Sequence, residues 1–384
     1  MKLTVVIVNY KVEHFLVQCL HSVSRSMHGI DGEIIVVDNA SGGGSLDYVR
    51  RMFPDVTYIE NTENLGFARA NNIGIRRGSG QYVMLLNPDT FISEQLIPSC
   101  IKLLDSDTTI GATGVRMLNQ DGTFALESRR GVPTPFTAFC KMSGLNSLFP
   151  YSHKLGRYYM RYLDEHRANP IDVISGACMF IRRSVLDECG LLDEDYFMYG
   201  EDIDLSYRML QTGHQNYYLP TLMLHYKGES SNKNTYHYVY IFYQAMYIFF
   251  RKHYSHYNWL LSVPIRMAIY IKGASEYLTR KLWQLFGNKH TMHEYMQQKR
   301  YLLRGSNRNI ERMATLCDRH HLVYDLFNAS CTTADYIIFD TDSFSYQDIL
   351  SEMEKWGADG SKRPMIATYS SQMDCIITGL YIFE

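Results

Sequence analysis

The feature that most constrains this chain lies in its first 86 residues, where short β-branched runs alternate with helical patterns. Leu3–Val8 is apolar without interruption, as a strand buried on both faces must be. Phe15, Leu16, Cys19, Leu20 and Val23 then recur at helical spacing. The pattern continues through a strand (Glu33–Val37), a Gly-rich loop (Ser41–Gly44) and a helix (Ser45–Met52). A strand (Val56–Glu60), a helix (Phe67–Arg77) and a strand (Tyr82–Leu86) follow. A β-α-β-α-β-α-β order demands a mostly parallel, doubly wound α/β sheet, Rossmann-like in outline. Ligands of such sheets bind at the carboxyl ends of the strands, so residues just past each strand are the ones to read.

Five such places carry polar or acidic residues. Asn9-Tyr10 follows the first strand and could hold a nucleobase, or simply end a strand. Asp38, followed by Ser41 and three glycines, could accept hydrogen bonds from a base or ribose, or cap the next helix. Asn64-Leu65-Gly66-Phe67-Ala68-Arg69-Ala70-Asn71-Asn72 opens a helix whose N-terminal amides suit a diphosphate. Its small residues would also serve helix packing; its repeated asparagines are less easily explained that way. Asn87-Pro88-Asp89 ends the fourth strand and reads either as a turn or as a carboxylate for Mg²⁺ or Mn²⁺. His225, after a later strand, is either structural or a second ligand for the ion.

The sixth place is the start of a helix, Glu201–Gln211. Glu201, Asp202 and Asp204 crowd its first turn, where the helix dipole favours negative charge. One acid is readily explained as a cap; three behind an aromatic wall of Phe197 and Tyr199 suggest a general base.

Together these residues resemble glycosyltransferase family 2, and within it the rhamnosyltransferase-like group. The similar stretches are Val5–Tyr10, Val36–Ser41, Asn64–Asn72, Leu86–Thr90, Ser175–Cys178, Gly190–Leu205 and His225, all within residues 1–230. The resemblance implies a GT-A fold and an inverting, metal-dependent hexosyltransferase. Asp38 and the strand-one residues Asn9 and Tyr10 would hold the nucleobase. Asn64, Gly66 and Asn71 would line ribose and phosphates, with Asn87 and Gly176 also at the donor. Asp89 would bind the metal as what remains of a D-x-D motif, with His225 compensating for the missing aspartate. Asp202 would be the base, and Glu201 the second choice. The implied partners are a nucleotide-sugar donor, with dTDP-rhamnose as the example, and a surface glycan acceptor, lipid-linked or free. The reading from another class is a non-catalytic nucleotide-sugar-binding or scaffold protein.

The remainder sets limits. A net charge of -2 is unlike a general nucleic-acid binder. The eight cysteines form no C-x-x-C pair, which favours a reducing compartment over a disulfide framework. The N-terminus lacks a signal-peptide pattern, and no charge-free run of about 20 apolar residues appears, so a cytoplasmic protein is expected. Beyond the first sheet, Val115–Leu118 and Thr123–Leu126 suggest a hairpin about Asn119–Gly122. Arg129–Pro170 looks like an insertion facing a second substrate, and Asp172–Ile181 reads as one strand. His214–Leu219 and Leu222–Tyr226 read as two more. Residues 231–305 form a helical, aromatic and basic region that either packs on the catalytic domain or lies peripherally on a membrane. Residues 306–384 suggest a small α/β module. Gln297–Tyr301 resembles the Q-x-x-R-W of processive synthases but lies too far from Asp202, and no G-x-G-x-x-G follows the first strand.

Overall fold

The computed structural model describes residues 1–42, 45–226, 236–254, 292–327, 334–355 and 364–384. The unbroken apolar run at the start becomes β1 (Leu3–Asn9), buried along its whole length. It pairs in parallel with β2 (Gly32–Asp38) on one side and β4 (Tyr82–Leu86) on the other. β3 (Thr57–Glu60) extends the parallel half beyond β2. Leu3, Val5 and Ile7 of β1 face a layer built on α1 (Glu13–Ser26), α2 (Ser45–Met52) and α4 (Leu96–Ser106). Val6 faces the opposite layer, with α3 (Phe67–Arg77) and α8 (Glu201–Gln211). Each buried aliphatic side chain in these layers contributes ~1.5–3 kcal/mol.

The rest of the sheet is mixed. It adds β5 (Thr90–Ile92), β6 (Ile110–Leu118), β7 (Asn169–Ile171), β8 (Cys178–Arg182) and β9 (Gln215–His225). The strand order is β3-β2-β1-β4-β8-β6-β9-β5, with β7 on β9. The order reverses between β1 and β4, which creates a crevice at their carboxyl ends. This is the α/β architecture expected from the opening pattern, parallel through its first half.

Three local expectations are corrected. The hairpin at 115–126 reduces to a turn, closed by Gly122 N–H donating to Asn119 O at 2.9 Å, and one bridge between Leu118 and Phe124. Asp172–Ile181 is not one strand: it breaks between β7 and β8. There the Asp172 carboxylate accepts from Val132 N–H and Arg157, and Gly176 turns its N–H toward Asp202. The two strands expected over 214–226 are one. Pro220, which cannot donate to a ladder, is absorbed as a bulge where Val115 pairs Leu219 and Arg116 pairs Leu222.

α9 (Tyr236–His253) is a core element on one face. Ala245 and Phe249 pack with Val132, Tyr196 and Ile203. Its last turn is pinned to α8, where buried Asp204 accepts from His253 at 2.7 Å and Lys252 at 3.1 Å. Of the rest of the expected helical region, residues 231–235 and 255–291, including Trp259–Ala274, lie outside the described residues, as do Gly43, Gly44 and Lys227-Gly228; Met292–Gln297 is helical as expected, whereas Arg300–Arg304 is a strand.

A second, six-stranded sheet has the order β11-β10-β12-β13-β14-β15, from β10 (Arg300–Arg304), β11 (Val323–Leu326), β12 (Tyr336–Asp340), β13 (Met365–Ser370), β14 (Cys375–Ile377) and β15 (Ile382–Phe383). The Q-x-x-R-W-like residues Arg300-Tyr301 begin β10 here, in the second sheet. This small module shares a core with the large domain: Phe15, Phe91, Leu224 and Tyr226 pack with Leu302, Phe339, Tyr346 and Leu350. Glu94 of the large domain caps helix Tyr346–Lys355, accepting from Tyr346 N–H at 2.9 Å and Gln347 N–H at 3.0 Å. The seven described cysteines are all free, and Cys331 lies outside the described residues. Among the described residues no helix is long and apolar enough to cross a membrane.

Candidate active site

A narrow cleft opens at the reversal point of the sheet. Val8 and Tyr10 line it from the end of β1, Asn39 from β2, Asn87 and Pro88 from β4, and Asn64, Gly66 and Phe67 from the start of α3. Phe197 and Met198 close the far side. The chain reaches this shape through backbone that non-glycine residues rarely adopt: Lys11, Ala40 and Tyr199 have φ of 57°, 64° and 66°. Each such residue costs ~1–3 kcal/mol, and such strain clusters at functional sites.

The loops after β1 and β2 are tied by Asp38. Its carboxylate accepts from Asn9 Nδ2 at 2.7 Å, Ser41 Oγ at 2.6 Å and Ser41 N–H at 2.9 Å. Asn39 then ties β2 to α3: its Nδ2 donates to Asn64 Oδ1 and Gly66 O, both at 3.0 Å, and its Oδ1 accepts from Asn61 Nδ2. At Gly66 the approach is so close that a Cβ would lie 2.4 Å from Phe197 O. Phe67 N–H donates to that same oxygen at 2.7 Å.

The three acids of α8 have separate environments. Asp204 is fully buried and bound to Arg208, Lys252 and His253. Burial opposes its ionisation, but the bonds to His253, Arg208 and Lys252 outweigh that and bring its pKa down to about 2. Glu201 is buried, and its Oε2 has no hydrogen-bond partner. Burial first, and the charge of Asp202 second, push its pKa up to about 8. Asp202 is partly exposed: its Oδ2 accepts from Arg130 at 2.5 Å and from Gly176 N–H at 3.0 Å.

Pairing of β5 with β9 sets Thr90 opposite His225 and so brings Asp89 and His225 together. His225 Nε2 lies 3.4 Å from Asp89 Oδ1 and 3.4 Å from Asn87 Nδ2, while its Nδ1 is buried without a hydrogen-bond partner. Asn87 Oδ1 is likewise buried without a partner. A carboxylate, an imidazole and an orphaned amide oxygen suit a divalent cation that keeps positions for phosphate oxygens and water. Among the described residues no three His, Cys, Asp or Glu side chains cluster as a cation cage.

The structure thus brings Tyr10, Asn64, Gly66 and Asn87 into the cleft lining, with Asp89 and His225 paired beside Asn87 and with Gly176 on Asp202. It sets Asn9 and Asp38 just behind the lining. Asn71 does not reach the lining: its amide donates back to Phe67 O at 2.9 Å, inside α3. Ala68 and Ala70 pack against the sheet, so close helix packing accounts for them. Phe197 of the aromatic wall lines the cleft, whereas Tyr199 turns to Phe242 of α9. Arg130 was not foreseen. It lies 72 positions before its partner, in a stretch with no periodic pattern, and nothing local marks it. Asn39 follows Asp38 in the chain, and that adjacency to a strand end was its only signal.

Residues 4–190 match the family model described as Glycosyl transferase family 2. A low-salt glycan biosynthesis hexosyltransferase of Haloferax volcanii is 32% identical over 210 residues, covering 54% of this chain and 61% of the relative. The chain therefore spans about three-fifths of that relative's length. An N-acetylglucosaminyl-diphospho-decaprenol L-rhamnosyltransferase of Mycobacterium tuberculosis is 25% identical over 311 residues, covering 75% of this chain and 99% of the relative. Among solved structures, a mannosyltransferase of Pyrobaculum calidifontis in complex with GDP-Man and Mn²⁺ overlaps 75% of this chain and 76% of its own, at 17% identity and a TM-score of 0.46. The α/β sheet, the crevice at its reversal point and the matched stretch coincide, and residues 4–190 of the chain are a glycosyltransferase family 2 domain.

Proposed function

We propose that this chain is an inverting glycosyltransferase that moves a hexose from a nucleoside-diphosphate donor to a hydroxyl of a lipid-linked surface glycan. One observation carries the reading. Asn87 N–H donates to Ala177 O at 3.0 Å, and the adjacent Gly176 N–H donates to Asp202 at 3.0 Å. Two residues of backbone therefore join the Asn87-Pro88-Asp89 turn to the carboxylate best placed as a base.

The donor lies in the cleft, its base near Tyr10 and Asn39 and its phosphates toward Asn87 and the first turn of α3. Asp89 and His225 would hold a divalent cation, Mg²⁺ or Mn²⁺, which when bound would supply neutralising charge at the diphosphate. Asp202 takes the proton of the acceptor hydroxyl as its oxygen attacks the anomeric carbon from the side opposite the diphosphate. Arg130 and Gly176 N–H hold that carboxylate in place. One displacement inverts the anomeric centre and needs no carboxylate nucleophile. Glu201, proton-bearing near neutral pH, is unsuited to the base role. The mycobacterial relative, an L-rhamnosyltransferase acting on N-acetylglucosaminyl-diphospho-decaprenol, favours a rhamnosyl donor, with dTDP-rhamnose the first to try, and a polyprenyl-diphosphate-linked acceptor.

The test is a thermal-shift panel of nucleotide sugars with and without Mn²⁺. A saturating donor at 100 times its Kd should add ~2.7 kcal/mol of stability. The shift should need the metal in the parent chain and vanish in Asp89→Ala. Stabilisation by no nucleotide sugar in the panel, dTDP-rhamnose included, would count against the reading.

A further inference from the structure

Helix α5 (Pro135–Met142) is turned inside out. Thr137, Ala138 and Cys140 are buried, while Phe136, Phe139 and Met142, which share the other side, face outward. Phe139 is 59% exposed, and Leu148 beyond it is 70% exposed. Phe149 and Tyr151 continue the apolar surface. Single exposed apolar residues are ordinary, but six within one short insertion mark an interaction surface.

Its charge is one-sided. From Ser128 through Leu163 the chain has no Asp or Glu, while Arg129, Arg130, Lys141, Lys154, Arg157 and Arg161 lie in that stretch. Three of these have partners or are buried: Arg130 is paired with Asp202, the exposed Arg157 with Asp172, and Arg129 is buried against Phe124 and Tyr218. Lys154 and Arg161 are exposed, and Arg161 lies over the exposed Tyr151 ring at 5.6 Å. Lys141 lies over Tyr159 at 3.9 Å. Aromatic and aliphatic groups rimmed by cations match the boundary between acyl chains and anionic headgroups. A water-soluble protein partner would be expected to meet such a surface with acids, and a second copy would bring the same cations against it.

We infer that residues 135–161 dock the protein on an anionic lipid bilayer. The insertion is bonded to the base through Arg130 and to β7's exit through Arg157 and Asp172, so docking sets the reactive side of the cleft close to the bilayer. The inference deepens the proposed reaction and rests on it for the acceptor's lipid character. Lipid binding itself needs no turnover, so the two can fail separately.

The test is sedimentation of the full chain with vesicles of phosphatidylcholine alone and of phosphatidylcholine with phosphatidylglycerol. Binding should require the anionic lipid and weaken with salt. Phe136→Ser combined with Phe139→Ser and Leu148→Ser should reduce partitioning by about tenfold or more. Lys154→Ser with Arg161→Ser should reduce it by about tenfold, on anionic vesicles only. Both sets sit at the surface, so the melting temperature should hold. Donor stabilisation in the thermal-shift assay should also hold, which separates this result from a failure of the proposed reaction. Absence of vesicle binding, equal binding to both lipids, loss of binding only on replacing Tyr240 and Phe242 of α9, or self-association abolished by Phe139→Ser without vesicle binding would each overturn the inference.

Discussion

Gly66 offers the sharpest trial of how the cleft is built. It has φ 81° and ψ 177°, a region open in practice only to glycine, and an added Cβ would lie 2.4 Å from Phe197 O and 2.8 Å from its ring. Gly66→Ala therefore meets two costs. The backbone strain is worth ~1–3 kcal/mol. Relief of the collision must push Phe197 away and weaken the Phe67 N–H to Phe197 O bond, ~0.5–1.5 kcal/mol more. A total of ~2–4 kcal/mol corresponds to a fall in Tm of roughly 4–15 °C for a domain of this size. Because Phe197 lines the cleft, donor affinity should fall with it, about tenfold for every 1.4 kcal/mol of binding lost. Gly190 separates the two costs: it has nearly the same backbone, φ 84° and ψ 166°, but an added Cβ meets only Arg208 Nη1, at 3.5 Å. Gly190→Ala should lower Tm by the strain alone and leave donor affinity intact. Differential scanning fluorimetry and calorimetric titration with the donor read both quantities. Equal losses of Tm and affinity in the two variants would refute the argument that the Phe197 contact shapes the cleft.

Asp202→Asn should lower kcat by ~10²–10⁴-fold while donor binding persists, read by product formation and by thermal shift; unchanged turnover would remove Asp202 as base. Glu201 has a folded pKa raised from 4.5 to about 8, so its contribution to stability is whole below pH 4.5 and is lost as pH rises through 8, by at most ~5 kcal/mol. Glu201→Gln should flatten the Tm profile between pH 5 and 9, and a parallel profile would contradict the burial argument. Asp204 has the opposite sign: its pKa is depressed from 3.8 to about 2, so ~2 kcal/mol present above pH 3.8 is lost as pH falls toward 2. Asp204→Asn should remove that acid sensitivity in pH-dependent chemical denaturation and free α9 for proteolysis. Glu94→Ala should cost ~0.5–2 kcal/mol by uncapping helix Tyr346–Lys355, with earlier tryptic release of the small module as the readout.

What the sequence disclosed and what it concealed divide along a physical line. β1, β2 and β4 are buried on both faces, so their apolar runs had no other interpretation, and the strand ends followed from them. The helix starting at Phe67 was legible for the same reason. Misreadings fell where long-range partners decide local structure. Asp172–Ile181 has strand-like composition, yet it breaks because the backbone N–H of Gly176 is needed at Asp202 and the Asp172 carboxylate at Arg157 and Val132. Pro220 looks like a strand end, but pairing on both sides of it keeps β9 continuous.

The start of α8 shows why the same limit applies to chemistry. Glu201, Asp202 and Asp204 lie within one turn, share one helix dipole and are nearly equivalent as letters. Their roles are set by groups the local sequence does not mention. Lys252 and His253, about 50 residues downstream, take Asp204 for the anchoring of α9. Burial, with Oε2 lacking a hydrogen-bond partner, leaves Glu201 holding a proton near neutral pH. Arg130 and Gly176, 72 and 26 residues upstream, hold Asp202 in place and leave it partly exposed. The motif places three acids within a turn of helix; only the tertiary partners single out Asp202 for the proposed base role, and exchanging those partners should exchange the environments.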